Sequence, residues 1–117
     1  MIIVLFEVTL AAGMKDAYLK MAENLYADLQ KEEGFISIER FESIRTPDRM
    51  LSLQLWESEE AIDRWRNNMQ HRRAMDVGYY KVFENYTLRV LTQIRAYTKY
   101  DRGQAPGDVS FKRQAHD

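Results

Sequence analysis

The amino-acid sequence predicts a single α+β domain with a four-stranded antiparallel sheet and two helices in the ferredoxin-like order β-α-β-β-α-β. Three observations lead there. The segments at residues 2–9 and from residue 85 onward alternate in the two-residue period of a strand. The stretches that follow Gly13 and Ser58 repeat apolar residues at three- and four-residue steps, the period of a helix lying on a core. Between them, "FISIERFESIRTPDRMLSLQLWE" places the turn formers Pro47 and Asp48 between two alternating runs, which is the pattern of a hairpin.

Taken in order, the first strand carries Ile2, Val4, Phe6 and Val8 on one face and Ile3, Leu5, Glu7 and Thr9 on the other. The first helix buries Met14, Ala17, Tyr18, Met21, Leu25 and Leu29, with Gly34 as its C-cap. The hairpin supplies strands two and three. The second helix starts at Ser58, whose hydroxyl can cap free amides, with Glu59 and Glu60 near the positive end of the helix dipole. Its inward stripe is Ala61, Ile62, Trp65 and Met69. Gly78 ends that pattern, Tyr79, Tyr80 and Phe83 form an aromatic link, and "NYTLRVLTQIRAYTKY" reads as one long last strand. Residues 1–100 then form the domain and residues 101–117, with Gly103, Pro106 and Gly107, a polar tail.

With both helices on one sheet face, the other face needs a cover. Ile3, Leu5, Met50, Trp56, Leu91 and Tyr97 are expected there, with Gln54, Arg89, Gln93 and Arg95 as polar contacts, and this is too much apolar surface for a monomer to leave wet. The expected partner is a second copy, sheet against sheet. Val109 and Phe111 in the tail would extend that contact if they find a groove.

Composition narrows the function. Seventeen basic residues against eighteen acidic ones leave a net charge of −1 with the signs scattered, which argues against nucleic acid as a partner. No cysteine is present, so disulfides, thiolate catalysis and sulfur-ligated metals are excluded; a cytoplasmic location suits that composition. The apolar first strand is interrupted by Glu7 and follows no basic residues, so it reads as neither a signal peptide nor a membrane span. The glycines are isolated rather than gathered in a phosphate loop. His71 and His116 are too far apart in sequence to suggest a metal site. No serine lies in a nucleophile elbow.

The cleft between helices and sheet is what remains. Trp65 on the inward stripe and Trp56 at the end of strand three each read as a core residue or a pocket wall. His71 lies among polar neighbours, and Asn68, three positions earlier, sits beside it on a helix. Six residues of ideal helix set Trp65 and His71 about 120° apart in projection, so a pocket using both requires a break around residues 69–72. Glu7, a carboxylate in an apolar strand, calls for an Arg partner such as Arg40 or Arg89.

The segments "MIIVLFEV", "EEGFISIERFES", "MLSLQLWES" and "EEAIDRWRNNMQHRRAM" together resemble the antibiotic biosynthesis monooxygenase family of small dimeric α+β-barrel proteins, over about residues 1–98. The resemblance implies a homodimer and a monooxygenase, free of cofactor and metal, that acts on a small aromatic molecule such as a phenol, quinol or polyketide-like ring. It implies His71 and Trp65 as catalytic residues, His71 being the base. It also implies a substrate pocket drawn from Trp56, Tyr26, Asn68, Tyr79 and Phe83. Related haem-degrading monooxygenases supply a second reading, in which Trp65 matches the helix tryptophan while Glu7 stands where an asparagine is expected. A dimer that binds a small ligand, or serves in stress or regulation, without turning anything over is the third.

Overall fold

The computed structural model describes residues 1–75 and 79–107, with side chains outside residues 70–80. The elements run β1 (Ile2–Leu10), α1 (Lys15–Leu29), β2 (Phe35–Glu42), β3 (Arg49–Trp56), α2 (Glu59–Met75), a short helical turn (Tyr79–Val82) and β4 (Phe83–Thr92). The sheet order is β2-β3-β1-β4, antiparallel throughout, which is the ferredoxin-like arrangement.

The local chemistry of most elements is as expected. The Ser58 hydroxyl accepts the Ala61 amide at 3.2 Å, and Glu59 and Glu60 occupy the first turn of α2. Ala61, Ile62, Trp65 and Met69 are all buried, packed with Val4, Leu29 and Trp56 in one core cluster. A second cluster joins Val8, Leu10, Tyr18, Met50 and Val82. At the hairpin, Asp48 takes the left-handed conformation at φ 59°, which Asp tolerates, and the Ser43 hydroxyl accepts the Thr46 amide at 3.0 Å. No described helix is long and apolar enough to cross a membrane.

Several expectations are corrected. The buried stripe of α1 runs through Tyr18, Ala22 and Leu29, and Ala17 is exposed. Gly34 does not cap α1, which ends at Leu29 with Gln30 as its cap. It opens β2 instead, with φ 89° and its carbonyl accepting the Glu57 amide at 2.8 Å. A Cβ there would lie 2.6 Å from the Ala61 Cβ, so only glycine lets β2 begin against the first turn of α2. Gly34→Ala is expected to lower stability by about 2 kcal/mol, read from the urea midpoint at unchanged slope. Wild-type stability in that variant would remove the steric account.

The last strand stops at Thr92. Ile94, Ala96 and Tyr97 lie beyond the sheet, in a stretch closed by the Thr98 amide donating to the Asp101 carbonyl at 2.8 Å. Strand three also faces the other way from expectation. Val4 pairs with Gln54, Val8 with Met50 and Ile2 with Trp56, so Met50, Gln54 and Trp56 share the helix side with Val4 and Val8. The open face carries Leu51, Leu53 and Leu55 beside Ile3, Leu5 and Leu91. Glu7 lies on that face too, paired with Arg89 at 2.9 Å and with Arg49, and not with Arg40.

The reason Arg40 is elsewhere is a bulge. Phe35 pairs with Trp56, but Ser37 already pairs with Leu55, so Ile36 is an extra residue. Past it the strand changes phase, and Ile38 and Arg40 follow Phe35 toward the helices.

Candidate active site

A cavity of about 200 Å³ lies between the helix side of the sheet and the two helices. Its walls are mainly apolar: Val4 and Phe6 from β1, Met21 and Leu25 from α1, Ile62, Trp65 and Met69 from α2, and Phe83, Leu88 and Val90 from β4. Leu88 and Val90 are about half exposed, so the helices leave the cleft open along β4. Glu59, Asp63 and Arg66 of α2 also border it.

Polar groups enter from one place only among the described lining residues of the sheet, the adjoining parts of β2 and β3. Trp56, fully buried, packs its ring edge-on to Phe35 at 5.4 Å, and its indole N–H donates to Gln54 Oε1 at 2.9 Å. Gln54 Nε2 donates in turn to Ser52 Oγ at 3.4 Å. Ser52, 1% exposed, is the one buried polar residue of the described core. Its hydroxyl accepts from Gln54 and keeps its own hydrogen for a further acceptor. Across the strand pair from Ser52 stands Arg40, whose guanidinium carbon lies 6.0 Å from the Tyr18 ring centroid. Arg40 Nε is screened from solvent and has no acceptor. Beside it the Glu42 carboxylate takes a hydrogen bond from the Lys15 amine at 2.7 Å, which raises that amine above its ordinary pKa and ties the start of α1 to the end of β2.

Such a site can hold a small apolar molecule against Trp65 and Met69 while one oxygen of that molecule meets the Ser52, Gln54 and Arg40 strip. Polar contacts within an apolar enclosure are stronger than the same contacts in water. At about 200 Å³ the cavity is smaller than the roughly 300 Å³ at which drug-sized ligand sites begin, so its occupant is small or reaches out along β4.

Of the residues singled out from sequence, the structure brings Trp65 and Phe83 together in the cavity wall. Trp56 lies in the core and meets the cavity through Gln54. Tyr26 is 43% exposed and lines a separate surface groove of α1. Asn68 is exposed, its amide donating to Glu32 Oε2 at 3.3 Å. The side chains of His71 and Tyr79 lie outside the described residues, as do Val109, Phe111 and His116. The backbone of α2 continues without a break to Met75, so the interruption that a joint Trp65 and His71 pocket required is not found. No cluster of three or more His, Asp or Glu able to hold a metal occurs among the described residues. Sequence reasoning missed Arg40, Ser52 and Gln54. Their signal was faint: polar residues inside "ISIER" and "LSLQL", runs that otherwise read as buried strand.

Together the sheet, the two helices and the apolar cavity between them define a protein of the ferredoxin-like α+β class with a cleft under its helix layer. The family model described as antibiotic biosynthesis monooxygenase matches residues 1–77, and the chain belongs to that family. It is 37% identical over 90 residues to the jasmonate monooxygenase ABM of Pyricularia oryzae, a match that covers 77% of this chain and 42% of that protein. The chain therefore spans less than half the length of that relative. A solved antibiotic biosynthesis monooxygenase superposes with a TM-score of 0.67 at 13% identity, covering 81% of this chain and 100% of the other. MhuD, solved as a mutant with two manganese protoporphyrin IX molecules per active site, superposes with a TM-score of 0.67 at 17% identity, covering 84% and 99%. These two structural likenesses speak to the fold alone.

Proposed function

We propose that the chain is a monooxygenase that needs no bound cofactor and acts on a small, largely apolar ring compound of the phenol, quinol or polyketide-like kind. The observation that carries this is the apolar cavity with one polar strip on its sheet wall, in a chain of a monooxygenase family. The jasmonate monooxygenase relative supports oxygen chemistry on a small molecule.

The chemistry needs little from the protein beyond a base and a dry pocket. A base removes a proton, from a CH2 flanked by conjugating groups in an anthrone or from the hydroxyl of a phenol or quinol whose ring C–H carbon then takes the oxygen, and the delocalised anion passes an electron to O2. Recombination forms a C–O bond, and the resulting hydroperoxide loses water to leave C=O. One oxygen atom enters the product, and the other leaves as water with the two substrate hydrogens. The substrate supplies all the electrons, so no external reductant enters. The apolar walls around Trp65 and Phe83 keep water from the anion. His71 is the proposed base; because α2 runs unbroken through residues 69–72, it acts on a part of the substrate that extends beyond the Trp65 wall. The enzyme works as a cytoplasmic homodimer joined through the open sheet face.

A haem-degrading activity is not favoured by these residues. The cavity is small for a porphyrin, and Glu7, which stands where that reading asks for an asparagine, lies on the opposite sheet face held by Arg49 and Arg89.

Purified protein given an anthrone or quinol under isotopically labelled oxygen gas is expected to consume oxygen and to place one labelled atom in the product. His71→Ala is expected to lower that rate by about a hundredfold or more. An unchanged rate removes His71 from the mechanism. Ligand-dependent thermal stabilisation without oxygen uptake across such a panel leaves a binding protein in place of an enzyme.

A further inference from the structure

The polar strip of the cavity holds a cation that no described residue neutralises. Among the described residues Arg40 makes no ion pair and no hydrogen bond; its one specific contact is the face of Tyr18, 6.0 Å from the guanidinium carbon. Four other arginines are engaged: Arg49 and Arg89 hold Glu7, Arg66 faces Asp63 at 3.9 Å, and Arg64 donates to the Glu33 carbonyl at 3.2 Å, while Arg45 and Arg95 are exposed to water. Arg40 is also half-buried, and its Nε is cut off from water. Keeping an unpaired charge there is unfavourable, because a desolvated guanidinium loses hydration that no carboxylate replaces.

The acids nearest the cavity do not relieve it. Asp63 is turned to Arg66, and neither Glu59 nor Asp63 comes within ion-pair distance of Arg40. On its other side Arg40 borders the groove of Asp16 and Glu23, and no pair forms there either. The β-bulge at Ile36 is what sends this side chain inward, since without the extra residue the phase of Glu39 would follow Phe35. The bulge thus sets an arginine opposite Ser52, whose hydroxyl hydrogen is free to donate, and two residue pairs along the sheet from the Gln54 amide.

We infer that the substrate is an anion, a small apolar acid whose carboxylate is received by Arg40 with Ser52 and Gln54 while its hydrocarbon body packs against Trp65, Met69 and Leu25. A guanidinium presents parallel donors that match the two oxygens of a carboxylate, and the charged hydrogen bonds so formed are about twice as strong as neutral ones. The apolar walls take the rest of the molecule. This rests on the cavity being the substrate site of the proposed monooxygenase and adds the class of molecule it selects.

The test is a matched pair of probes of one shape, naphthoate and the uncharged naphthamide, titrated calorimetrically into the full-length protein at neutral pH. The wild type is expected to bind naphthoate at least about tenfold more tightly than naphthamide. Arg40→Gln is expected to abolish that preference, lowering naphthoate affinity at least about tenfold more than naphthamide affinity. Arg40→Lys, which keeps the charge and loses the fork, is expected to retain part of it. Equal wild-type affinity for the two probes, or binding of neither, overturns the inference without recourse to any variant, as does a preference that survives Arg40→Gln in a protein that melts like the wild type. The two readings separate cleanly. Oxygen uptake with an uncharged quinol and no charge preference removes the carboxylate site and leaves the monooxygenase, whereas an Arg40-dependent preference with no oxygen uptake on any acid or quinol does the reverse.

Discussion

Trp56→Ala is expected to lower the stability of the fold by about 3–5 kcal/mol, the usual cost of emptying a buried Trp site. Trp56 is fully buried and sits at the end of β3, where it packs with Val4, Leu29, Ile62 and Trp65 and meets the Phe35 ring edge-on. The sheet and α2 meet over it, so truncation leaves a void that both would have to move to fill. Chemical denaturation at one protein concentration measures the loss, since a dimer's stability depends on concentration. Trp56→Phe separates packing from hydrogen bonding. It keeps most of the ring volume but removes the N–H that holds Gln54 Oε1, and a loss of about 1–2 kcal/mol is expected. A change below about 1 kcal/mol in Trp56→Ala would show that the helix layer does not rest on this residue.

Leu53→Asp is expected to convert the proposed dimer to monomers, seen by sedimentation velocity as a halved mass. Leu53 stands in the middle of the open face, in register with Leu5 on one side and Glu39 on the other. Around it lie Leu51, Leu55, Ile3 and Leu91, a continuous apolar surface that a second sheet would cover. An unpaired carboxylate buried there costs at least roughly 2 kcal/mol, and two-fold symmetry makes the substitution twice, so the dissociation constant rises about a thousandfold or more. The substitution touches neither core cluster, so the monomer is expected to keep its circular dichroism. An unchanged mass would place the partner surface elsewhere. The Arg49–Glu7–Arg89 group borders the same patch, and in a dimer it would lie under the partner with one positive charge in excess.

The order and type of the elements were legible in the chain because each depends on short-range pattern. The Ser58 cap, the stripe of Ala61, Ile62, Trp65 and Met69, and the Pro47 and Asp48 turn each rest on interactions within a few residues, and each is found. Family membership was legible for the same reason, since its motifs lie along "MLSLQLWES" and the helix that follows.

The site was only partly legible. Trp65 could be placed in the cleft from periodicity and Phe83 from the family resemblance, but Asn68 and Tyr26 line the outer surface because their helices turn those faces away from the sheet. In β3 the period of two was plain while the choice of face was not. Leu51, Leu53 and Leu55 form the more apolar phase, yet the phase with Ser52 and Gln54 faces the helices, because the register with Val4 and Val8 sets it there and a cavity gives those polar groups something to face.

The sequence by itself determined the fold class, the family, the hairpin and the inward stripe of α2, all of which local spacing encodes. Only the tertiary structure decided which face of the sheet is covered, where β4 ends and that Arg40 points into the cavity. Those depend on strand register and on one extra residue at Ile36, and a shift of one residue exchanges the two faces of a strand without altering its composition.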